Sequence, residues 1–160
     1  VVNDIFTIDF PQNITQVHFI KLRLFDTKGK EVANTFYWRS NDKYEGRKTL
    51  TGPTSSGFED LSKLKQVQLK TRYQTYQEGD RHFIKAEIKN PSSTVAFFTQ
   101  LQLLGQDKKP VRPSFYTDNF FSLLPGESKT VIIETAASDM PSEPTFVVKG
   151  WNIKPSSFKL

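Results

Sequence analysis

The stretch Phe98 to Glu127, FTQLQLLGQDKKPVRPSFYTDNFFSLLPGE, decides the fold, because it joins the strongest strand signal in the chain to its one unusual motif. Thr94 to Leu104 (TVAFFTQLQLL) is the longest strand candidate, and Gln106 to Pro110 supplies the turn that sends Val111 to Tyr116 back as its partner. The first half of the stretch occurs twice. Set without a gap over Phe19 to Tyr37 (FIKLRLFDTKGKEVANTFY), the segment Phe98 to Tyr116 matches it at seven positions, all at a constant offset of 79. The coincidences are Phe19/Phe98, Leu22/Leu101, Leu24/Leu103, Lys30/Lys109, Val32/Val111, Phe36/Phe115 and Tyr37/Tyr116. Most are apolar residues at strand spacing, so one supersecondary unit is used twice.

A chain of 160 residues with such a repeat favours two small β units, each able to bury a modest core. Its 14 Phe, 5 Tyr and 2 Trp, beside 36% apolar residues, are the composition of a folded, β-rich protein. No run of 18 apolar residues is present, so no membrane-spanning helix and no membrane partner are expected. The opening residues VVNDIFTIDF read as a strand and not as a signal peptide, and the natural N-terminus is expected elsewhere. With no cysteine, disulfides, zinc-thiolate sites and thiol catalysis drop out together, and the compartment stays undecided. The net charge is +5, but the 22 Lys and Arg are scattered among 17 acids. They cluster only in Lys63 to Arg72, where they alternate with Leu64, Val67 and Leu69 as the wet face of a strand would. No recognition helix or RNA-stacking motif accompanies them, so nucleic acid is not an expected partner.

Taken in order, Ile5 to Phe10 reads as a strand stopped by Pro11. Val17 to Phe25 follows, with Ile20, Leu22 and Leu24 as its expected core face, and Asp26 to Lys30 turns it into Glu31 to Trp38. Arg39 to Leu61 is rich in Gly, Ser and Thr and reads as a connection, partly ordered by Tyr44, Leu50, Phe58 and Leu61, with a short helical turn over Phe58 to Leu64. Beyond it, strands are expected over Val67 to Tyr76, Arg81 to Lys89, Thr94 to Leu104, Val111 to Tyr116, Lys129 to Thr135 and Thr145 to Ile153. Phe83 and Ile84 compete for the inward side of the second of these. Glu78-Gly79-Asp80 and Asn90 to Ser93 are turns by composition, and Pro125-Gly126 suits a type II turn. Short strands with turns every 8 to 12 residues and no useful helix give an all-β fold. The expected architecture is an immunoglobulin-like antiparallel β-sandwich, with a partial second sandwich unit at the N-terminus; a small barrel is the alternative. Residues 1–40 would be the closing strands of a preceding sandwich, 41–62 a linker, and 63–160 a complete sandwich.

Catalytic chemistry is hard to find. Asp9, Asp26, Asp42, Asp60, Asp80, Asp107 and Asp139 all sit in or beside turns, where Asp bonds locally. His18 and His82 lie on strands with no acid cluster near them, so no metal site is expected. Without a Gly-x-Ser-x-Gly elbow or a Gly-rich phosphate loop, the chain reads as a non-enzyme needing no cofactor. Trp38 and Trp151 end strands beside polar residues and could platform a sugar ring, although two Trp in such a chain more often serve a core or an interface. In Tyr116 to Phe121, Asp118-Asn119 interrupts an aromatic run, as at a corner whose side chains bond the backbone.

Four motifs carry a family resemblance: Asn90-Pro91-Ser92-Ser93 with Ala96-Phe97-Phe98; Tyr116 to Phe121 (YTDNFF); Leu124 to Val131 (LPGESKTV); and Gly150-Trp151-Asn152. Their order resembles the C-terminal immunoglobulin-like domain of glycoside hydrolase family 2, in the exo-β-D-glucosaminidase and β-mannosidase branch. Phe19 to Asp26, Gly29-Lys30 and Asn34 to Ser40 resemble the end of the sandwich that precedes it. In that family the catalytic Glu pair comes from a (β/α) barrel, so the resemblance assigns no catalytic residue here. It implies an accessory region that braces the barrel, with the barrel and the other domains of a parent chain as partners and carbohydrate as a further one. Trp38, Tyr116, Asp118, Asn119 and Trp151 are the candidates to face barrel or sugar. The competing readings are an autonomous carbohydrate-binding module and a cell-surface adhesion sandwich.

Overall fold

The computed structural model describes residues 6–41 and 57–160. The chain divides into two compact units, Val1–Lys63 and Leu64–Leu160. Ile5, Tyr44 and Leu50 lie outside the described residues.

In the first unit, β1 (Val17–Phe25) pairs antiparallel with β2 (Glu31–Ser40) over its whole length. Asp26 closes the turn between them by accepting the Lys28 and Lys30 amides on Oδ1 at 2.8 and 2.9 Å, which is the local bonding that makes Asp a turn residue. The expected strand over Ile5 to Phe10 is not formed in its described part, Phe6 to Phe10. Phe10 instead packs on the open end of the hairpin: its ring meets His18 edge-on at 5.4 Å and lies 5.9 Å from the Arg39 guanidinium. The expected core face also needs correction. Ile20 and Leu22 are half-buried and Leu24 is 62% exposed, because two strands offer one layer and no second layer covers that face among the described residues of the unit. A 3-10 turn over Glu59–Lys63 stands where a helical turn was expected, with Leu61 as its buried residue.

The second unit is a two-layer sandwich. Its eight strands are β3 (Lys70–Glu78), β4 (Arg81–Lys89), β5 (Ala96–Leu104), β6 (Phe115–Tyr116), β7 (Phe121–Leu123), β8 (Ser128–Ala136), β9 (Thr145–Gly150) and β10 (Ile153–Lys159). One sheet runs β10-β9-β5-β7 and the other β3-β4-β8-β6, and every ladder is antiparallel. Val67 adds a parallel bridge to Ile153 before the chain crosses to begin β3 in the opposite sheet. The core lies between the layers and is built by strict alternation: Ile84, Ala86 and Ile88 from β4, Leu101 and Leu103 from β5, Val131 and Ile133 from β8, Phe146 and Val148 from β9. Ile84, not Phe83, takes the inward side. Phe83 stacks instead on Tyr76 at 5.0 Å on the outer face.

Three strand expectations change. The first strand starts at Lys70 and not Val67. Thr145 to Ile153 breaks at Trp151-Asn152, and two strands not anticipated from sequence are formed, β7 and β10, the latter continuing to Lys159. Val111 to Tyr116 does not return as a hairpin partner: only Phe115–Tyr116 is strand, and it pairs with β8 in the other sheet. Pro110 and Pro113 explain this, since neither has an N–H to give to a ladder beside β5.

Candidate functional site

The family-like motifs are held by three asparagines that bond to backbone. Asn90, fully buried, donates through Nδ2 to the carbonyls of Thr94 (2.8 Å) and Leu123 (3.0 Å), while its Oδ1 accepts the Ser92 amide and hydroxyl. The neighbouring turn closes on the Glu127 amide donating to the Leu124 carbonyl at 3.1 Å, with Gly126 at φ 80° as the type II form requires. Asn152 accepts the Phe97 amide on Oδ1 at 2.9 Å and donates through Nδ2 to the Lys65 and Val95 carbonyls, both at 2.9 Å. It thereby ties three segments of the second unit at one buried point.

Asn119 acts as a substitute strand. Beyond Thr99, β5 has no further ladder to β7, and Asn119 occupies the vacant edge: Oδ1 accepts the Leu101 amide at 2.8 Å and Nδ2 donates to the Leu101 carbonyl at 3.0 Å. Two residues on, the Leu103 amide donates to the Tyr116 hydroxyl at 2.9 Å. The edge is closed further by the Val111 amide on the Leu103 carbonyl at 3.0 Å. An edge that would otherwise invite another strand is thus satisfied from within. Burial pushes the Tyr116 hydroxyl pKa above the ordinary tyrosine value, and the Leu103 amide partly offsets this. Asp118 accepts the Asn119 amide at 2.7 Å and pairs with Lys129, whose ammonium lies 5.1 Å from the centre of the Phe121 ring.

Of the five residues singled out in the sequence, the structure brings Tyr116 and Asn119 together on the β5 edge, with Asp118 beside Asn119 and paired with Lys129 of β8. It sets Trp151 in the β9–β10 turn, 57% exposed, and Trp38 on β2 of the first unit, 44% exposed. Sequence reading missed how close the Trp151 turn comes to β5. The Trp151 amide donates to the Phe97 carbonyl at 3.1 Å, and a Cβ at Gly150 would stand 2.9 Å from the Phe98 carbonyl oxygen, so glycine is required there. Phe98 and Phe120 also escaped notice. Both adopt positive φ, 58° and 57°, and their rings meet at 5.4 Å on the surface. Their sequence signal was their place inside two of the family-like motifs and, for Phe98, its match to Phe19 in the repeat; neither showed the backbone conformation. No group of three or more His, Cys, Asp or Glu able to hold a metal occurs among the described residues.

Comparison with known proteins meets this geometry. Residues 49–153 match the family model described as the exo-beta-D-glucosaminidase Ig-fold domain. An exo-beta-D-glucosaminidase from Streptomyces avermitilis is 30% identical over 149 residues, which cover 87% of this chain and 16% of that protein. One from Amycolatopsis orientalis is 27% identical, over 91% of this chain and 15% of that protein. The chain thus spans about a sixth of the length of these relatives. Among solved structures, the Amycolatopsis orientalis exo-chitosanase CsxA superposes on 97% of this chain and 19% of its own, with a TM-score of 0.82 at 22% identity. That likeness shows the immunoglobulin-like fold. The matched residues, 49–153, make up more than half of the chain and include all four motifs, and the chain therefore belongs to the exo-beta-D-glucosaminidase Ig-fold domain family.

Proposed function

We propose that this chain is a non-catalytic accessory region of a larger glycosidase, one that hydrolyses β-glucosaminides or β-mannosides, and that it braces a catalytic barrel carried elsewhere in that enzyme. The observation that carries the reading is the use of the motif residues. Asn90, Asn119 and Asn152 spend their amides on backbone groups of their own sandwich, which is the work of a scaffold. The family membership and the sixfold greater length of the relatives support it. In the same reading, residues 1–40 close a preceding sandwich, 41–62 link, and 63–160 form the complete domain. The exposed Leu24, Val32 and Tyr37 of the hairpin would then be covered by strands of that preceding domain.

The test is enzymatic. The purified 160-residue chain is expected to leave aryl β-glucosaminides and β-mannosides intact, while the parent enzyme cleaves at least one of them. Turnover by the purified chain would sink the proposal, and comparing the two substrates on the parent separates the glucosaminidase from the mannosidase form.

A further inference from the structure

We propose that Phe98, Phe120 and Trp151 form an apolar knob by which the second unit docks onto another domain of the longer enzyme. This rests on the accessory role above and names the surface that performs it. Three observations carry it. First, the three residues come from separate segments, yet each follows or precedes a residue fixed to backbone. Phe120 follows Asn119, Trp151 precedes Asn152, and the Phe98 amide donates to Ser122 Oγ at 3.2 Å. Phe98 and Phe120 touch at 5.4 Å, and the Trp151 turn is hydrogen-bonded to β5 next to Phe98.

Second, the rings are held outward at a conformational cost. They are 39%, 50% and 57% exposed, and the two phenylalanines adopt a left-handed backbone that bulky side chains rarely take. The extra residue at Phe98 is a bulge: β5 advances three residues from Ala96 to Thr99 while β7 moves two, from Leu123 to Phe121. The bulge lets Ala96 and Phe97 both be buried in succession, after which Phe98 takes the outward side that Gln100 and Gln102 continue. Third, the polar side chains around the rings are engaged inside the domain: Asn119 with Leu101, Asn152 with Phe97, Lys65 and Val95, and Asp118 with Lys129. A sugar site needs convergent hydrogen-bonding groups around its stacking ring, whereas clustered aromatic anchors without them suit an apolar protein pocket. The occupant is a domain outside these residues, since the chain accounts for only 16% and 15% of its two relatives.

Hydroxyl-radical footprinting of the purified chain and of the parent enzyme tests this. Phe98, Phe120 and Trp151 are expected to oxidise readily in the isolated chain and to be protected in the parent. Phe115, 59% exposed on the opposite sheet, serves as the internal reference for rates in both. The double variant Phe120→Ser, Trp151→Ser should leave the unfolding midpoint of the isolated chain unchanged and should abolish protection of Phe98 in the parent. Equal oxidation of the three rings in chain and parent overturns docking while leaving the accessory role in place. Protection in a parent that cleaves no glycoside upholds docking and overturns the role. Protection of Trp151 in the isolated chain by glucosamine oligosaccharides assigns the patch to sugar and overturns the proposal.

Discussion

Phe19 to Tyr37 and Phe98 to Tyr116 begin as one structure and end as two. Both open with a strand and pass through the same turn. In the first, the Asp26 amide donates to the Lys30 carbonyl and Gly29 to Asp26; in the second, Gly105 donates to Lys109 and Lys108 to Gly105, all at 2.9 to 3.0 Å. Even the left-handed residue coincides, Gly29 at φ 77° and Lys108 at φ 61°. The first bridge past the turn is shared as well, Phe25 to Glu31 and Leu104 to Pro110. There the copies part. Where β2 continues for ten residues with Glu31 and Asn34, the second copy has Pro110 and Pro113, leaves the ladder and joins the opposite sheet. The divergence converts a hairpin into a crossover between layers, and among the described residues only the copy that crosses over helps to enclose a two-layer core.

The largest contrast is expected in the core positions. Leu103→Ala should cost the second unit about 2–5 kcal/mol, since Leu103 is fully buried. Its counterpart Leu24→Ala should change the stability of the isolated chain by no more than about 0.5 kcal/mol, and urea unfolding of the two variants compares them directly. Next come the edge substitutes. Asn119→Ala strips the Leu101 amide and carbonyl of their partner and should cost about 2–3 kcal/mol, whereas Asn119→Asp keeps the acceptor and should cost less.

A smaller difference separates the paired tyrosines. Tyr116→Phe removes the hydroxyl that accepts the Leu103 amide and should cost about 1 kcal/mol, against no measurable change for Tyr37→Phe at a 48% exposed position. The sign of the alkaline limb follows. Because the folded-state pKa of Tyr116 is raised by burial, its contribution is complete below the unfolded tyrosine value and is lost as pH rises through the folded one. Tyr116→Phe should remove that part of the loss, as pH titration of the unfolding midpoint would read. The smallest effect belongs to the turn. Lys108→Gly relieves a left-handed lysine but loosens the unfolded chain, for a net gain of about 0.5 kcal/mol in thermal unfolding.

Much of the second unit could be read from sequence because its strands alternate cleanly. Ile84, Ala86, Ile88 and Leu101, Leu103 announce one buried face each, and Asp118-Asn119 announced a corner bonding the backbone, as observed. What escaped reading was nonlocal. That Val111 to Tyr116 would desert β5 depends on two prolines acting against a repeat that matched at seven positions. The strand β10 was hidden by Pro155 and by Ser156-Ser157, residues with little strand preference, which are strand here through their pairing with Val147 and Val148. The mistaken core face of β1 has the same origin: alternation shows which side is apolar, and only the partner layer shows whether it is covered. The aromatic knob was concealed because a left-handed phenylalanine has no sequence signature of its own.

Native-state hydrogen exchange on the purified chain tests the central claim most directly, that only the second copy of the repeat belongs to a finished sandwich. The amides of Leu101 and Leu103, bonded to Asn119 and Tyr116 inside the core sheet, should exchange only through global unfolding of the second unit. Those of Leu22 and Leu24 should exchange faster by a factor of about 1,000 or more, through local opening of a two-stranded hairpin. Comparable protection at the four positions would contradict the account.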